Sequence, residues 1–511
     1  MSLQQSLDLL QEIERDYPVN EWSAEGVRLW PLIRTHLSYL SSQPHLGRSA
    51  PPRFREKLRK VSTIVDAIVA PLRDRSHHLP FAAPAGAFML TYSFSRQARL
   101  QSGHYDTFLG PIQQLLEERQ RRCHIWEFSH AEPYRYPRAT ASHLIEKNFL
   151  KIHLRQALRA PRLGRVQLPR YEEASAMLRK RDYFYPMIDA DRVLREFGHI
   201  LMLKDLFARA LDIIRPEIAF TSNVGRFEMG LYLACLERGI LAVEVQHGVQ
   251  GGLHGQYARW TCPPAEGYEL LPGAYWSWNA DNAATINAWS RACAPRHRAI
   301  PGGTPWFDYC NRVDPAEVVP RYADQLKPDP LRKVALITLQ PAHLIYEDHT
   351  MIPGSVLDAM KRQGRSCTWW IRFHPMMQRD DNALRSVLRQ RGIDAELDVA
   401  NDVPLALLLR RADLHLTHSS STVIEAERFG IPSIVWSEYG ASVFGATLEA
   451  GHAVRAASVE ELDAAIRRAF ASGRYPPRRE ESSPLQALDE IQDLAVADRQ
   501  RFHGNKSAAT T

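Results

Sequence analysis

Three consecutive serines form the strongest chemical signal in this sequence. Ser419, Ser420 and Ser421 follow the predicted strand Asp413–Thr417 and precede a stretch with helical spacing. The first turn of a helix carries free backbone N–H groups and a partial positive charge, so it favours anions. Serine hydroxyls add small hydrogen-bond donors beside those groups. The pattern predicts a phosphate-binding loop that holds a nucleotide, and an ordinary capped helix is the alternative.

Thr422 and Glu425 stand next to these serines at the spacing of a capping box, in which each side chain bonds the other residue's backbone N–H. The pair therefore predicts the start of a helix. Glu425 has two alternative roles, because it either caps this helix or binds the hydroxyl groups of a ribose. The sequence leaves both roles open.

A histidine–proline pair lies in the same half of the chain. His374 and Pro375 come directly after the predicted buried strand Thr368–Phe373. A histidine at this place can donate a hydrogen bond to a phosphate oxygen and assist a leaving group. The proline fixes the backbone of the turn. We expect His374, Pro375 and the three serines to form one nucleotide site.

The order of these two motifs resembles a known group of enzymes. A strand ending in HP, followed by a strand ending in SS and a helix, is similar to the bacterial sialyltransferases and the Kdo transferases of capsule and lipopolysaccharide synthesis. The stretch IEAERFGIPSIV also looks like the donor domain of GT-B glycosyltransferases, including users of UDP- and GDP-sugars. The resemblance covers residues 333–450 well. It implies that His374 contacts the phosphate of a CMP donor, that the serines line its pocket, and that no metal or other cofactor is required.

A second histidine ends a predicted strand in the first half of the chain. Gln246, His247 and Gly248 follow the predicted strand Leu241–Val245, and this QHG resembles the N-terminal domain of many surface-polysaccharide enzymes. Glycine permits a sharp backbone turn beside a ligand. We expect these three residues to contact donor or acceptor, with proton transfer as a further role for His247 and a histidine that only forms the turn as the alternative. A metal site shared with His254 is an alternative without an evident third ligand.

Two carboxylates at predicted strand-to-helix loops are candidate catalytic bases. Asp106 follows the first predicted strand, and Glu228 follows a later one. Either could deprotonate an acceptor hydroxyl, or attack the sugar in a retaining enzyme. Their alternative role is to stabilise a helix N-terminus. The acidic motif that supplies the base in sialyltransferases is missing from this half of the chain, which favours other donors. Asp106 is the preferred base.

Two arginines lie on the same predicted loops. Arg96 and Arg226 could each bind an anionic donor or acceptor, because a guanidinium holds a carboxylate or phosphate through two parallel hydrogen bonds. A surface salt bridge is the alternative for both.

Alternating strands and helices position these residues. Apolar runs typical of buried strands alternate with helical stretches in both halves, which indicates βαβ units and parallel sheets. We expect an α/β, GT-B-like fold with two Rossmann-like domains facing a cleft, extra N-terminal helices and a C-terminal helix. Apolar residues at helical spacing predict one helix over 21–40. The predicted segments are 1–85 (helical), 86–300 (acceptor domain), 301–332 (linker), 333–484 (nucleotide-sugar domain) and 485–511 (helix and disordered tail).

Bulk composition narrows the class of protein. The chain has 511 residues, 45% apolar content and a net charge of +6. It contains no run of about 18 apolar residues, and its first residues carry acids without an apolar core, so we expect neither a membrane span nor a signal peptide. We expect a cytoplasmic protein whose basic clusters could contact the inner face of the inner membrane. Those clusters carry no nucleic-acid-binding signature, so nucleic acid is not an expected partner.

These observations predict a glycosyltransferase of surface polysaccharide synthesis. The expected donor is CMP-Kdo or a related CMP-nonulosonate, and the expected acceptor is a lipid-linked or oligosaccharide chain of lipopolysaccharide, O-antigen or capsule. Three rival hypotheses remain. The same fold could use a UDP-, GDP- or dTDP-sugar, the protein could be a nucleotide-sugar epimerase or hydrolase, or it could be a non-catalytic scaffold for polysaccharide assembly.

Overall fold

The computed structural model describes most of the chain. The described residues are 3–42, 65, 69, 78–100, 102–129, 134–149, 152, 163–181, 189–313, 318–327, 331–340, 351–374, 381–477 and 483–508. They group into two compact units. The first unit comprises Met1–Arg96, Asp106–Pro305 and Glu481–Thr511, and the second comprises Gln97–Tyr105 and Trp306–Glu480.

The strands of the described residues are numbered in chain order. They are β1 Ser23–Ala24, β2 Val27–Arg28, β3 Ala87–Tyr92, β4 Ala98–Leu100, β5 Gly103–Tyr105, β6 Cys123–Phe128, β7 His143–Leu144, β8 Val166–Gln167, β9 Ile218–Thr221, β10 Leu241–Val245, β11 Ala274–Ser277, β12 Arg298–Pro301, β13 Lys333–Thr338, β14 Cys367–Arg372, β15 Ala395–Glu396, β16 Leu414–Thr417, β17 Ser433–Val435 and β18 Ala453–Arg455.

The α-helices of the described residues lie between and around these strands. They are Leu3–Asp16, Trp30–Ser42, Gly110–Glu118, Tyr171–Lys180, Ala190–Ile214, Arg226–Leu236, Ala280–Ser290, Pro305–Arg312, Ala323–Leu326, Gly354–Gln363, Asp381–Arg391, Asp398–Asp402, Leu405–Arg411, Thr422–Arg428, Glu438–Val443, Gly445–Glu449, Val459–Ser472 and Pro484–Ala508. None of these helices combines the length and the hydropathy that a bilayer-spanning helix needs.

A seven-stranded sheet forms the centre of the first unit. Its strand order is β12-β11-β10-β9-β3-β6-β7, and all neighbouring strands are parallel. Every residue of β3 is buried, because helices cover both faces of the sheet and leave no polar side to the strand. Phe88 and Leu90 pack with Phe207 on one face, while Met89 packs with Leu488 of the C-terminal helix on the other.

A six-stranded parallel sheet forms the centre of the second unit. Its order is β15-β14-β13-β16-β17-β18. Ile337, Trp369 and Leu416 face one helical layer. Alternate residues of the same strands, including Arg372 and Thr417, face the other layer, as the two-residue period of a strand requires. The expected α/β class with two Rossmann-like domains is therefore confirmed.

Two local expectations are wrong. The expected helix over 21–40 is interrupted, because Glu25 and Gly26 take positive φ angles of 51° and 79° and form the turn between β1 and β2. Helix Trp30–Ser42 begins only after that hairpin. The C-terminal helix Pro484–Ala508 continues through residues expected in a disordered tail, since the sequence offers no proline there to stop backbone hydrogen bonding.

Candidate functional site

The serine loop of the second unit is held by its own backbone and hydroxyl groups. The N–H of Ser420 donates to Thr417 Oγ1 at 3.2 Å, and Ser420 Oγ pairs with Thr422 Oγ1 at 2.9 Å. Ser419 Oγ lies 2.9 Å from His418 Nδ1. Ser421 precedes helix Thr422–Arg428 without making a side-chain cap. The loop is therefore ordered, and Ser419 and Ser421 remain half-buried.

The structure does not form the capping box expected from Thr422 and Glu425. Ser421 occupies the N-cap position instead, because the hydroxyl of Thr422 turns back to Ser420. The Oε2 atom of Glu425 is buried and has no hydrogen-bond partner. Burial raises the pKa of Glu425 to about 7, although the nearby Arg372 and Arg428 favour its charged form. The side chain of Thr422 also hydrogen-bonds that of Glu425 and favours its charged form, so the capping-box role is the one that the structure excludes.

His374 lies at the end of the adjoining strand β14. Burial, reinforced by the nearby Arg372 guanidinium, lowers the pKa of His374 to about 4, so the imidazole is neutral at pH 7. A neutral imidazole can donate one N–H to a phosphate oxygen without supplying a charge. Arg372 itself donates to the carbonyls of Ala400 and Val403 at 2.6 and 2.8 Å. Pro375 lies outside the described residues.

The strand order brings these residues to one edge of the sheet. His374 follows β14 and the serine loop follows β16, and both strands pair in parallel with β13 between them. Two strand spacings separate them, about 10 Å. Strands β14 and β15 lie on one side of β13, and strands β16 to β18 lie on the other. The carboxyl ends of β13 and β16 therefore form a topological switch point, where open α/β sheets bind ligands.

A line of buried polar side chains lies under the loop of Ser419, Ser420 and Ser421, and it was not predicted from the sequence. His415 bonds Thr338 Oγ1 at 2.8 Å and Ser433 Oγ at 3.1 Å across β13, β16 and β17. Thr417 Oγ1 donates to the carbonyl of Thr338 and accepts from the Ser420 N–H. Burial lowers the pKa of His415 to about 3, so this line is neutral. A histidine inside an otherwise apolar strand is the signal that could have revealed it.

In the first unit, Asp106 uses both carboxylate oxygens internally. Oδ1 accepts the backbone N–H groups of Phe108 and Leu109 at 2.8 and 3.0 Å, just ahead of helix Gly110–Glu118. Oδ2 accepts the hydroxyl of Thr91. Burial raises the pKa of Asp106, while these hydrogen bonds oppose the rise. The structure thus gives Asp106 the helix-start role that was its alternative.

Glu228 lies at the topological switch point of the first sheet, between the neighbouring strands β3 and β9. The chain continues from β3 to β6 on one side and from β9 to β10 on the other. The Oε1 atom of Glu228 accepts the hydroxyl of Tyr92, the last residue of β3. Its Oε2 is buried without a hydrogen-bond partner, and a Cβ at Gly225 would stand 3.2 Å from that oxygen. Burial raises the pKa of Glu228 to about 7. Unlike Asp106, Glu228 retains an unused acceptor.

A second buried acid adjoins Glu228 and was missed by sequence analysis. Glu244 is the cross-strand partner of Thr221, whose hydroxyl lies 2.9 Å from that of Tyr232, one helical turn beyond Glu228. The hydroxyl of Tyr257 donates to Glu244 Oε1, and Oε2 has no partner. Burial raises the pKa of Glu244 to about 8, and the charge of Glu228 adds to the rise. A single acid inside the apolar run of β10 was the available signal.

The QHG segment is mostly structural. Gln246 is fully buried and bonds the carbonyl of Gly248, the side chain of Asn282 and the N–H of Trp278. A Cβ at Gly248 would meet no protein atom within 4 Å, and its φ is not positive, so neither the neighbouring protein atoms nor its φ angle require a glycine here. The ring of His247 lies 6.3 Å from that of Phe108.

His247, Asp106 and Glu228 come from loops at the same edge of the first sheet, since β10, β9 and β3 are parallel neighbours. His254 lies near His247, and burial lowers its pKa to about 4. Within the described ranges, no group of three His, Cys, Asp or Glu side chains could hold a metal ion.

The two candidate arginines are engaged by protein groups. Arg96 is fully buried and pairs with Glu127 at 2.9 Å, with further bonds to Thr140. It therefore stabilises the interior and does not present a guanidinium to a ligand. Arg226 forms a half-exposed pair with Glu196 at 3.3 Å, and its guanidinium lies over the ring of Phe227.

Comparisons with known proteins identify no family for this chain. No family model matches, and no curated protein matches. Similar solved structures include UDP-GlcNAc 2-epimerase from Methanocaldococcus jannaschii, with 10% identity, a TM-score of 0.47, and coverage of 80% of this chain and 99% of that one. UDP-GlcNAc 2-epimerase from Neisseria meningitidis bound to UDP-GlcNAc has 12% identity, a TM-score of 0.44, and coverage of 81% and 99%. The wall teichoic acid polymerase TagF has 11% identity, a TM-score of 0.43, and coverage of 88% and 98%.

Proposed function

We propose that this protein is a glycosyltransferase that binds a nucleotide-sugar donor at the carboxyl edge of the second sheet. The donor phosphate would contact the serine loop and His374, and the ribose would contact Glu425. The acceptor, a lipid-linked or oligosaccharide chain, would bind the first unit. We also propose that the protein contacts the membrane that carries such a lipid-linked acceptor.

The unpartnered Oε2 of Glu425 is the observation that carries this proposal. A buried carboxyl oxygen without a hydrogen bond costs roughly 1–3 kcal/mol, and this one lies at a switch point beside the serine loop. The hydroxyl groups of a ribose are donors of the right kind to satisfy it. Its position within the first turn after the serines also suits a ribose joined directly to a bound phosphate.

The neighbouring residues support the chemistry of a departing nucleotide. Because His374 is neutral at pH 7, it would act as a hydrogen-bond donor to the phosphate. Ser419 and Ser421 would add hydroxyl donors from the other side. Donors fixed before the reaction stabilise the charge that develops on a leaving phosphate without having to reorganise.

For the base that activates the acceptor, we favour Glu228 over Asp106. Asp106 has both oxygens occupied, whereas Glu228 has Oε2 available and a pKa of about 7. A base is most effective when its pKa is near the working pH. This role requires that the acceptor hydroxyl reach Oε2.

The HP and SS motifs make a CMP-linked nonulosonate such as CMP-Kdo the first donor to test. The absence of the sialyltransferase acidic motif keeps UDP-, GDP- and dTDP-sugars as the alternatives. The proposal assigns no role to a metal ion.

Thermal unfolding with CMP, CDP, UDP, GDP and dTDP tests the nucleotide site. A nucleotide at about 100 times its Kd should stabilise the protein by roughly 2.7 kcal/mol. We expect Glu425→Gln and His374→Ala to weaken binding of that nucleotide at least about tenfold, since the first replaces one acceptor oxygen by an amide donor and the second removes a donor. Glu449→Gln, at an exposed glutamate of the same unit, is the matched control and should bind normally.

Product analysis then separates the rival activities. Transfer to an added glycan acceptor supports the glycosyltransferase. Conversion of the nucleotide sugar without any acceptor would assign an epimerase or hydrolase instead. If no nucleotide stabilises the wild-type protein, the nucleotide site is refuted and the scaffold hypothesis takes its place.

A further inference from the structure

Tyr439 is an exposed aromatic residue beside the serine loop. It lies in helix Glu438–Val443, which follows β17 at the same carboxyl edge as Ser419. The residue is 37% exposed. Single exposed aromatic residues are ordinary on protein surfaces, so its exposure alone assigns no role. Its attachment to the serine loop is what distinguishes it.

Helix Glu438–Val443 is attached to His418, the residue that precedes the three serines. Ser437 Oγ donates to the carbonyl of His418 at 2.6 Å and accepts the N–H of Gly440 at 2.9 Å. The backbone approaches so closely that a Cβ at Gly440 would stand 2.1 Å from the same carbonyl. The rings of Tyr439 and His418 lie 25° from parallel with centroids 6.2 Å apart. His418 in turn bonds Ser419, so Tyr439 is held relative to the proposed phosphate contacts.

The strand order places Tyr439 and the proposed ribose contact on opposite sides of that phosphate position. The carboxylate of Glu425, in the helix that follows β16, interacts electrostatically with Arg372 of β14, whereas Tyr439 follows β17. The order β14-β13-β16-β17 puts the serine loop, after β16, between these two ends. Three strand spacings, about 14 Å, separate β14 from β17. A nucleotide whose ribose extends toward β14 would direct its other phosphate substituent toward β17.

We propose that Tyr439 binds the sugar ring of the donor, a role that rests on the proposed nucleotide site. A pyranose presents an apolar face of C–H groups, and an aromatic ring held at the edge of a site offers a flat apolar surface for that face. Tyr439 would thus recognise the transferred sugar and leave the nucleotide to Glu425, His374 and the serines. The ring, rather than the hydroxyl, makes the contact.

Paired binding measurements separate this role from nucleotide binding. Affinities are measured by calorimetry for a free nucleotide and its sugar conjugate: CMP with CMP-N-acetylneuraminate, UDP with UDP-N-acetylglucosamine, GDP with GDP-mannose, and dTDP with dTDP-glucose. The pair whose nucleotide stabilises the wild type is used. We expect Tyr439→Ala to bind the conjugate about tenfold more weakly, the effect of losing one aromatic contact, and to bind the free nucleotide as the wild type does.

Two variants serve as controls. Tyr439→Phe retains the ring and should bind the conjugate normally. Val454→Ala, at an exposed residue of β18, should change neither affinity. If Tyr439→Ala binds the conjugate normally, or loses both ligands equally, the sugar contact is refuted while the nucleotide site stands. If the wild type binds none of the nucleotides, both proposals fail together.

Discussion

The carboxyl edges of the two sheets handle their polar residues differently. In the second unit, Ser419, Ser421 and Glu425 follow one strand; the two serines are half-buried, and Glu425 has one oxygen without a hydrogen-bond partner. In the first unit, Asp106 and Arg96 bond other groups of the protein: Asp106 accepts backbone N–H groups just ahead of a helix, and Arg96 forms a buried ion pair. In the sequence, both edges carried residue types that could bind a ligand or transfer a proton, so residue type did not distinguish them. The difference shows that residue type and loop position identify an edge, whereas only hydrogen-bond partners show whether a residue is available.

Breaking the buried ion pair of the first unit should have the largest effect. We expect Arg96→Met to lower the free energy of unfolding by about 3–5 kcal/mol, because it leaves the Glu127 carboxylate buried and unpaired. Denaturant unfolding measures this loss. Arg226→Met, which breaks a half-exposed pair, should cost less than about 1 kcal/mol.

The double variant Arg96→Met with Glu127→Gln sharpens the test, since it also removes the stranded charge and should recover part of the loss. Equal stability losses for Arg96→Met and Arg226→Met would contradict the distinction between a buried and a half-exposed ion pair.

Glu228 and Glu244 resemble Glu425 of the second unit, because each has one carboxyl oxygen without a hydrogen-bond partner. We expect Glu228→Gln to lower the rate of sugar transfer by about 10²–10⁴-fold, the usual contribution of a general base, with little change in nucleotide affinity. Asp106→Asn is the matched control. It should cost about 1 kcal/mol of stability through weakened capping and leave the transfer rate of the folded protein within about threefold. The opposite pattern would return the base to Asp106.

The fold was more predictable than the site, for a local reason. The apolar run of β3, which contains one threonine, indicates a strand covered on both faces, and the structure forms that strand over Ala87–Tyr92. The expected helix over 21–40 failed because two residues, Glu25 and Gly26, turn the chain while the apolar spacing continues across them. The spacing of apolar residues thus predicts which residues are buried, but it does not show where a turn interrupts a helix.

Site residues depend on partners far along the chain. Glu228 is held by Tyr92, 136 residues away, and Arg96 by Glu127, 31 residues away. No spacing rule connects such pairs. The serine motif could be recognised in the sequence because its strand, loop and helix are consecutive. One short segment therefore determines most of its geometry. Even there, Glu425 could be separated from a capping residue only when its oxygens were seen.

The buried acid Glu244 offers a smaller test, through pH. Its pKa in the folded protein is about 8, against an ordinary value of 4.5, so the folded state binds more protons than the unfolded state between these values. Its contribution to stability therefore declines as pH rises through this window and is least favourable above about 8. Glu244→Gln removes the titrating group and should gain at least about 1 kcal/mol relative to the wild type between the two ends of the window.

Denaturant unfolding at a series of pH values measures that difference, and Glu237→Gln, at an exposed glutamate of the same unit, should show none. A pH-independent difference for Glu244→Gln would mean that the acid is not driven to its neutral form by burial. Because Glu244 lies beside Glu228 in the same cluster, the variant should also lower the pKa at which the transfer rate of the enzyme rises. The pH–rate profile therefore reports whether the charge of Glu244 raises the pKa of Glu228, the proposed base.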